Sequence, residues 1–259
     1  LNILNGKPIV VNVNGLKIGR GNPPVIIAGP CAVESRDQII EIAKILKQIG
    51  VDMIRGGAFK PRTNPYTFQG LGVKALEFLK EASELTNLPV VTEVMDIKDI
   101  DVVYEYADVM QVGSRNMYNY SLLKELGKRD KPILLKRGMS STVKEWALAA
   151  EYIAIGGNSQ IILCERGIRT YNDFTRNTLD LAAVPFMQKL TGLPVIVDPS
   201  HATGVRELIK PMAKAAIACN ADGVMIEVHP NVEKALSDKE QSLTPAQFEE
   251  IVLEIERIS

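Results

Sequence analysis

The chain has only three cysteines, Cys31, Cys164 and Cys219, in 259 residues. They are too few and too scattered for a disulfide framework, which excludes the small stapled scaffolds of oxidising compartments. No apolar stretch approaches the length that a bilayer span needs, which excludes a helical membrane protein. Residues 1–7 contain no basic region followed by a long apolar core, so no secretory signal is read there and the cytoplasm is the expected compartment. An excess of either charge is missing as well. Thirty basic residues stand against 31 acidic ones, a net charge of −1, so nothing draws the whole protein to nucleic acid and any charge selectivity must be local. Histidine is scarce, with His201 and His229 the only two.

What is present is an ordinary globular composition, 46% hydrophobic and 24% charged, with no linker, low-complexity tract or internal repeat to divide it. Near the start, Ile9–Val13 and Leu16–Ile18 flank Asn14-Gly15, a dipeptide that accepts the positive φ angles of a type I′ turn, and so predict a β-hairpin. From Val25 onward the pattern changes to short β-branched runs, each followed by a longer segment with helical apolar spacing. Strands are predicted at 25–28, 52–56, 90–94, 109–112, 133–136, 160–163, 195–198 and 223–227. A capping box, Ser35 to Gln38, opens a helix that Gly50 ends. Further helices are expected at 73–86, 97–105, 119–128, 142–155, 177–191, 205–219 and 245–257.

Alternating strands and helices imply parallel strands joined by right-handed crossovers. Eight units close a barrel, whereas an open doubly wound sheet would gather its site at one switch point. Here chemistry-bearing residues follow seven or all eight runs. The expected fold is therefore an α/β protein, a (β/α)8 TIM barrel over residues 22–259, with an N-terminal β-hairpin extension over 1–21 that plugs the amino-terminal pole. The apolar faces of the hairpin also raise a subunit contact as an expectation.

Three of the runs end in metal-ligand side chains: Cys31 after the first, His201 after the seventh and Glu227 at the end of the eighth. In a closed barrel these runs are neighbours, so the three side chains can converge on one ion. A thiolate, an imidazole and a carboxylate suit Zn²⁺, Mn²⁺ or Fe²⁺ better than Mg²⁺ or Ca²⁺. Asp238, in the following loop, is either a fourth ligand or a solvated loop charge, and His229 is a competing ligand. The plainer alternatives are a buried Cys31 that only fills space and a Glu227 paired with a lysine.

The segment Ile54-Arg55-Gly56-Gly57-Ala58-Phe59-Lys60-Pro61-Arg62-Thr63 places three cations within eight residues, beside glycines that let backbone amides approach a ligand. Gly113-Ser114-Arg115, Lys136-Arg137-Gly138 and Glu165-Arg166-Gly167 add cations after later runs. One such residue alone is a solvated surface charge. Charges of one sign recurring at successive strand ends repel one another unless an anion sits among them, and two phosphorylated substrates would resolve the conflict.

Gly29-Pro30-Cys31-Ala32-Val33-Glu34-Ser35, Lys60-Pro61-Arg62-Thr63 and Asp198-Pro199-Ser200-His201 resemble the signatures of 3-deoxy-D-arabino-heptulosonate 7-phosphate (DAHP) synthases. The likeness is to the short branch related to 3-deoxy-D-manno-octulosonate 8-phosphate synthase. It implies condensation of phosphoenolpyruvate with D-erythrose 4-phosphate, the first step of the shikimate route to aromatic amino acids, with phosphate as second product. It also implies one divalent metal ion per subunit (Mn²⁺, Zn²⁺, Fe²⁺ or Co²⁺) on Cys31, His201, Glu227 and Asp238. Phosphoenolpyruvate would lie on Arg55, Lys60, Gly113, Ser114, Arg115, Lys136 and Arg166, and the sugar phosphate on Arg62 and Thr63. Lys60 is the expected proton donor and Glu93 the residue that positions water. The family implies a homotetramer acting on small molecules. No regulatory domain is read outside the hairpin and barrel, so feedback control is not expected. The rivals are the octulosonate phosphate synthase, whose relatives carry Lys-Ala-Asn-Arg in place of Lys-Pro-Arg-Thr and which uses D-arabinose 5-phosphate, and a non-catalytic barrel that binds phosphorylated metabolites.

Overall fold

In the computed structural model, which describes residues 1–62 and 64–258, an antiparallel hairpin precedes a closed barrel of eight parallel strands. The hairpin pairs β1 (Val11–Val13) with β2 (Leu16–Ile18). Its turn residues, Asn14 at φ 50° and Gly15 at φ 94°, take the left-handed conformations that a type I′ turn demands. The barrel strands are β3 (Val25–Gly29), β4 (Met53–Arg55), β5 (Val90–Glu93), β6 (Val109–Val112), β7 (Ile133–Lys136), β8 (Ile161–Glu165), β9 (Val195–Val197) and β10 (Gly223–Glu227). β10 pairs with both β9 and β3, which closes the ring.

Helices cover the outside: α1 (Arg36–Ile49), α2 (Val73–Thr86), α3 (Ile100–Tyr106), α4 (Tyr120–Leu126), α5 (Val143–Ile155), α6 (Ala183–Thr191), α7 (Pro199–Thr203), α8 (Arg206–Ala218) and α9 (Pro245–Glu256). α1 shows how local sequence sets these elements. Ile39, Ile42, Ala43 and Leu46 form its buried stripe, Ser35 caps its first turn through Gln38 N, and Gly50 ends it at φ 100°. The reciprocal bond of the expected capping box is displaced by one residue. Gln38 Oε1 accepts from Glu34 N at 3.1 Å, not from Ser35 N, because the Gln38 side chain also donates to Ala32 O.

Two expectations shift. α6 begins at Ala183, not 177, because residues 166–182 form a loop folded back on itself by the Ile168–Thr178 bridge. Leu179 and Leu181 pack on the core from that loop, which gives it apolar spacing without helix. The second is α7, a helical turn that the apolar spacing does not announce. It forms because Pro199 occupies the first turn, where no N–H is needed, and Asp198 accepts from His201 N.

The hydrophobic core has two parts. The larger one lies between the sheet and the helices. The smaller one fills the barrel's amino-terminal half, where Val25, Ile27, Met53, Val91, Val109, Leu134, Ile162, Ile196 and Met225 meet Val11, Val13 and Ile18 of the hairpin. The hairpin is thus a plug, and each fully buried aliphatic side chain in it contributes about 1.5–3 kcal/mol. Asn14 Nδ2 donates to Asp108 Oδ1 and Asn12 N to Gln160 Oε1, both just before barrel strands, which holds the plug against the lower rim. Three aspartates on that rim, Asp52, Asp108 and Asp222, accept from amides at the starts of the neighbouring strands, Ile26 (second in β3), Val90 and Val195 (first in β5 and β9), and help set the register.

Candidate active site

At the opposite pole the strands end in charge. Arg55, Glu93, Lys136 and Glu227 are the last residues of their strands, Cys31 and Arg166 lie just beyond theirs, and His201 stands in α7. Close packing of the backbone makes room for them. A Cβ on Gly29 (φ 152°) would lie 2.0 Å from Arg55 O, and one on Gly113 would lie 2.2 Å from Glu93 Oε1.

Cys31, His201, Glu227 and Asp238 converge, with one ligand atom from each lying within 4.8 Å of the others. Cys31 Sγ is 2.9 Å from Asp238 Oδ2, and His201 Nε2 is 3.2 Å from Glu227 Oε1. Donors about 2.0–2.3 Å from a tetrahedral ion stand about 3.3–3.8 Å apart, so this sulfur, nitrogen and oxygen set fits a borderline divalent cation with small adjustment. Neighbours orient each donor. Asp198, fully buried, accepts from His201 N at 2.9 Å through Oδ1, and its Oδ2 takes His201 Nδ1 at 2.7 Å and Lys136 Nζ at 2.5 Å. That contact keeps a proton on Nδ1 and turns Nε2 toward the cluster. Arg55 Nη1 donates to Glu227 Oε1 at 3.0 Å, Gln241 Nε2 to Glu227 Oε2 at 2.6 Å, and Lys60 Nζ to Cys31 Sγ at 3.0 Å.

Electrostatics follow from this arrangement. Burial opposes ionisation of Glu227, yet His201 and Arg55 outweigh it and hold the carboxyl well below its usual range. Asp238 is lowered too: burial and the Glu227 charge oppose ionisation, but His201, the Cys31 thiol and Arg176 prevail. Burial disfavours charge on His201, but Asp198 and Glu227 raise it to about 9.

Beside the cluster opens a cavity of about 270 Å³. Arg55, Lys60, Arg62, Arg115, Lys136, Arg166 and Arg176 line it, against only Glu93 and Asp238 of opposite sign among the described residues. Burial pulls the Arg166 guanidinium below its usual range, as expected of a cation held away from water before an anion arrives. Four buried side-chain atoms here, Arg55 Nε, Arg62 Nη2, Glu93 Oε1 and Arg166 Nη1, have no partner among the described residues. Orphaned polar atoms are rare in folded interiors, and their concentration around one cavity marks a place built for a polar ligand.

Of the residues singled out from sequence, Arg55, Lys60, Arg62, Glu93, Gly113, Ser114, Arg115, Lys136, Arg166, His201 and Asp238 line the cavity. Cys31 and Glu227 stand behind it, 2% and 1% exposed, and reach it through Lys60 and Arg55. Thr63 lies outside the described residues. His229, the competing ligand, is not in the cluster and instead faces Glu34. Sequence reasoning passes over Arg176, which lines the cavity and contacts Asp238 and Gln241, because its segment adjoins what reads as the start of a helix. It also passes over Gln111, whose Nε2 donates to Glu93 Oε2 at 3.2 Å. A polar residue inside the apolar run Val109–Val112 is the available signal.

Comparison with known proteins identifies the family. The DAHP synthetase I family matches residues 8–258. A phospho-2-dehydro-3-deoxyheptonate aldolase of Thermotoga maritima is 52% identical over 250 residues, 96% of this chain and 74% of that protein. A 2-dehydro-3-deoxyphosphooctonate aldolase of Francisella tularensis subsp. holarctica is 29% identical, covering 93% of this chain and 94% of that one. Among solved structures, the Thermotoga maritima DAHP synthase superposes with a TM-score of 0.94 at 51% identity, covering 97% of this chain and 73% of that one. A truncated form of the Thermotoga maritima enzyme gives 0.90 at 48%, covering 97% and 92%. With its closed barrel, its ring of cations and a match that runs almost end to end, the chain belongs to the DAHP synthetase I family of enzymes.

Proposed function

We propose that this chain condenses phosphoenolpyruvate with D-erythrose 4-phosphate and water to give DAHP and inorganic phosphate, the entry reaction of the shikimate route. The observation that carries the reading is the cavity in which unpartnered Arg55, Arg62 and Arg166 atoms face the same space as Glu93, next to the Cys31, His201, Glu227 and Asp238 cluster. A hydrolase or a simple aldolase needs the cluster but leaves the remaining cations without purpose.

Arg55, Arg115, Lys136 and Arg166, with the backbone of Gly113 and Ser114, bind the carboxylate and phosphate of phosphoenolpyruvate and hold it in one orientation. Arg62 takes the sugar phosphate. A divalent ion (Mn²⁺, Zn²⁺, Fe²⁺ or Co²⁺) held by Cys31, His201, Glu227 and Asp238 would supply Lewis-acid polarisation of the aldehyde oxygen and a fixed template for it. C3 of phosphoenolpyruvate attacks the aldehyde carbon, and Lys60, whose Nζ stands between the Cys31 thiol and the cavity, protonates the new alkoxide. Glu93, held by Gln111 on one oxygen and without a partner among the described residues on the other, positions the water that adds to C2. The resulting hemiketal phosphate breaks its C2–O bond and releases phosphate, while the surrounding cations stabilise the redistributed charge. Asp198 keeps the His201 ring and Lys136 in place.

Phosphate release measured with phosphoenolpyruvate alone, with D-erythrose 4-phosphate and with D-arabinose 5-phosphate at matched concentration tests the reading. The expected result is release only when a sugar phosphate is present, with clear preference for the four-carbon acceptor. Preference for the five-carbon acceptor would make the chain an octulosonate phosphate synthase, and binding without release would make it a silent barrel.

A further inference from the structure

The proposed chemistry leaves two residues of its own motifs without a role, Glu34, three positions beyond Cys31, and His229, two beyond Glu227. They meet. Glu34 Oε2 is 3.3 Å from His229 Nε2, and Glu34 Oε1 accepts a 2.8 Å hydrogen bond from Leu236 N. His229 Nδ1 accepts from Asn231 N at 3.0 Å, which leaves the ring proton on Nε2, aimed at the carboxylate. Both side chains are nearly buried, His229 5% and Glu34 11% exposed.

These bonds act on the loop between β10 and α9. Its neck is closed by the Val228–Leu243 bridge, with His229 N donating to Leu243 O and Leu243 N to Glu227 O, each at 3.0 Å. Beyond the neck, the loop carries Asp238 in the left-handed region at φ 51°, a conformation that a residue other than glycine keeps only when its surroundings hold it there. Cys31, His201 and Glu227 stand at strand ends or in a capped helix turn. Asp238 alone of the four stands far out on a loop. Leu236, gripped by Glu34, is two residues before it.

We propose that Glu34 and His229 form a positioning pair that fixes this loop to the Cys31 segment and so presents Asp238 to the ion beside the thiol. The proposal rests on the reading of Asp238 as a metal ligand. A single carboxylate thereby spans the two chain segments whose side chains, Cys31 Sγ and Asp238 Oδ2, approach to 2.9 Å. Without it, the loop must be ordered anew each time the ion is bound, and affinity falls by that entropy.

The test is the Mn²⁺ dissociation constant, measured by competition with a chromophoric chelator, for the wild type, E34A, E34Q, D238N and the E34A/D238N double variant. Calorimetric binding of phosphoenolpyruvate to the metal-free proteins serves as the control for folding. Loss of an outer-shell partner costs about 10- to 100-fold in metal affinity, and E34A is expected to fall in that range. E34Q, which keeps an acceptor for Leu236 N, is expected to lose less. The double variant is expected to bind no more weakly than D238N, with phosphoenolpyruvate binding unchanged in E34A and E34Q, whose residue is not part of the cavity lining. Wild-type Mn²⁺ affinity in both E34A and E34Q, or losses from E34A and D238N that multiply, would overturn the proposal. Wild-type affinity in D238N would instead remove Asp238 from the ligand set, and the positioning role of the pair with it.

Discussion

The two poles of this barrel use the same eight strands and the same two-residue alternation, yet they close in opposite ways. At the amino-terminal pole, inward-facing Val, Ile and Met side chains pack on Val11, Val13 and Ile18, and the space is filled by apolar contact. At the carboxyl pole the inward positions are Arg55, Glu93, Gln111, Lys136 and Glu227, and four of the buried polar atoms without partners among the described residues, on Arg55, Arg62, Glu93 and Arg166, face one cavity. The lower pole is satisfied by its own residues, whereas the upper one is completed by what it binds. Stability and chemistry are thus kept at opposite ends of the same strands, and they are expected to respond separately to mutation.

Lys60→Ala should break that separation on the upper side only. Loss of the proton donor is expected to lower kcat by about 10²- to 10⁴-fold in steady-state assays, with the thermal unfolding transition hardly moved. Ile18→Ala does the converse. Truncating this fully buried plug residue should destabilise the fold by about 2–5 kcal/mol in denaturant titrations, with kcat unchanged at temperatures where the protein remains folded. Asp198→Asn sharpens the picture of the upper pole. Because Asp198 orients His201, metal affinity measured by chelator competition should fall by about 10- to 100-fold. The smallest effect concerns pH. In the metal-free protein burial opposes the charge on His201, but Asp198 and Glu227 raise it to about 9, so an incoming ion must displace a proton below that pH. The His201 proton alone should then make apparent Mn²⁺ affinity rise by about tenfold per pH unit on approach to that value, a contribution that ends above it, with proton release on binding detectable in a weakly buffered solution.

Much of this was legible in the sequence because the signals were periodic or sat at strand ends. Short β-branched runs alternating with helical spacing identified eight units, and Asn14-Gly15 identified the hairpin, since each pattern has one cheap backbone solution. The convergence of Cys31, His201 and Glu227 followed from closure of the ring, which makes the first and last strands neighbours, whereas Asp238 joined them only through the family resemblance. What escaped notice depends on long-range contacts. Arg176 reaches the cavity only because residues 166–182 fold back as a loop, and the apolar spacing of Leu179 and Leu181 imitates a helix. His229 and Glu227 are two positions apart on one chain. Only the packing of Glu34 against the β10–α9 loop decides that one joins the cluster while the other serves as an anchor.

The most direct test is to strip the protein with a chelator and add back Mn²⁺, Zn²⁺, Fe²⁺ or Co²⁺, following consumption of phosphoenolpyruvate and D-erythrose 4-phosphate together with phosphate release. The account predicts that stripped protein falls to background and that one equivalent of a suitable ion per chain restores coupled consumption of both substrates. Full turnover by the stripped protein, or phosphate released without the sugar phosphate, would contradict it.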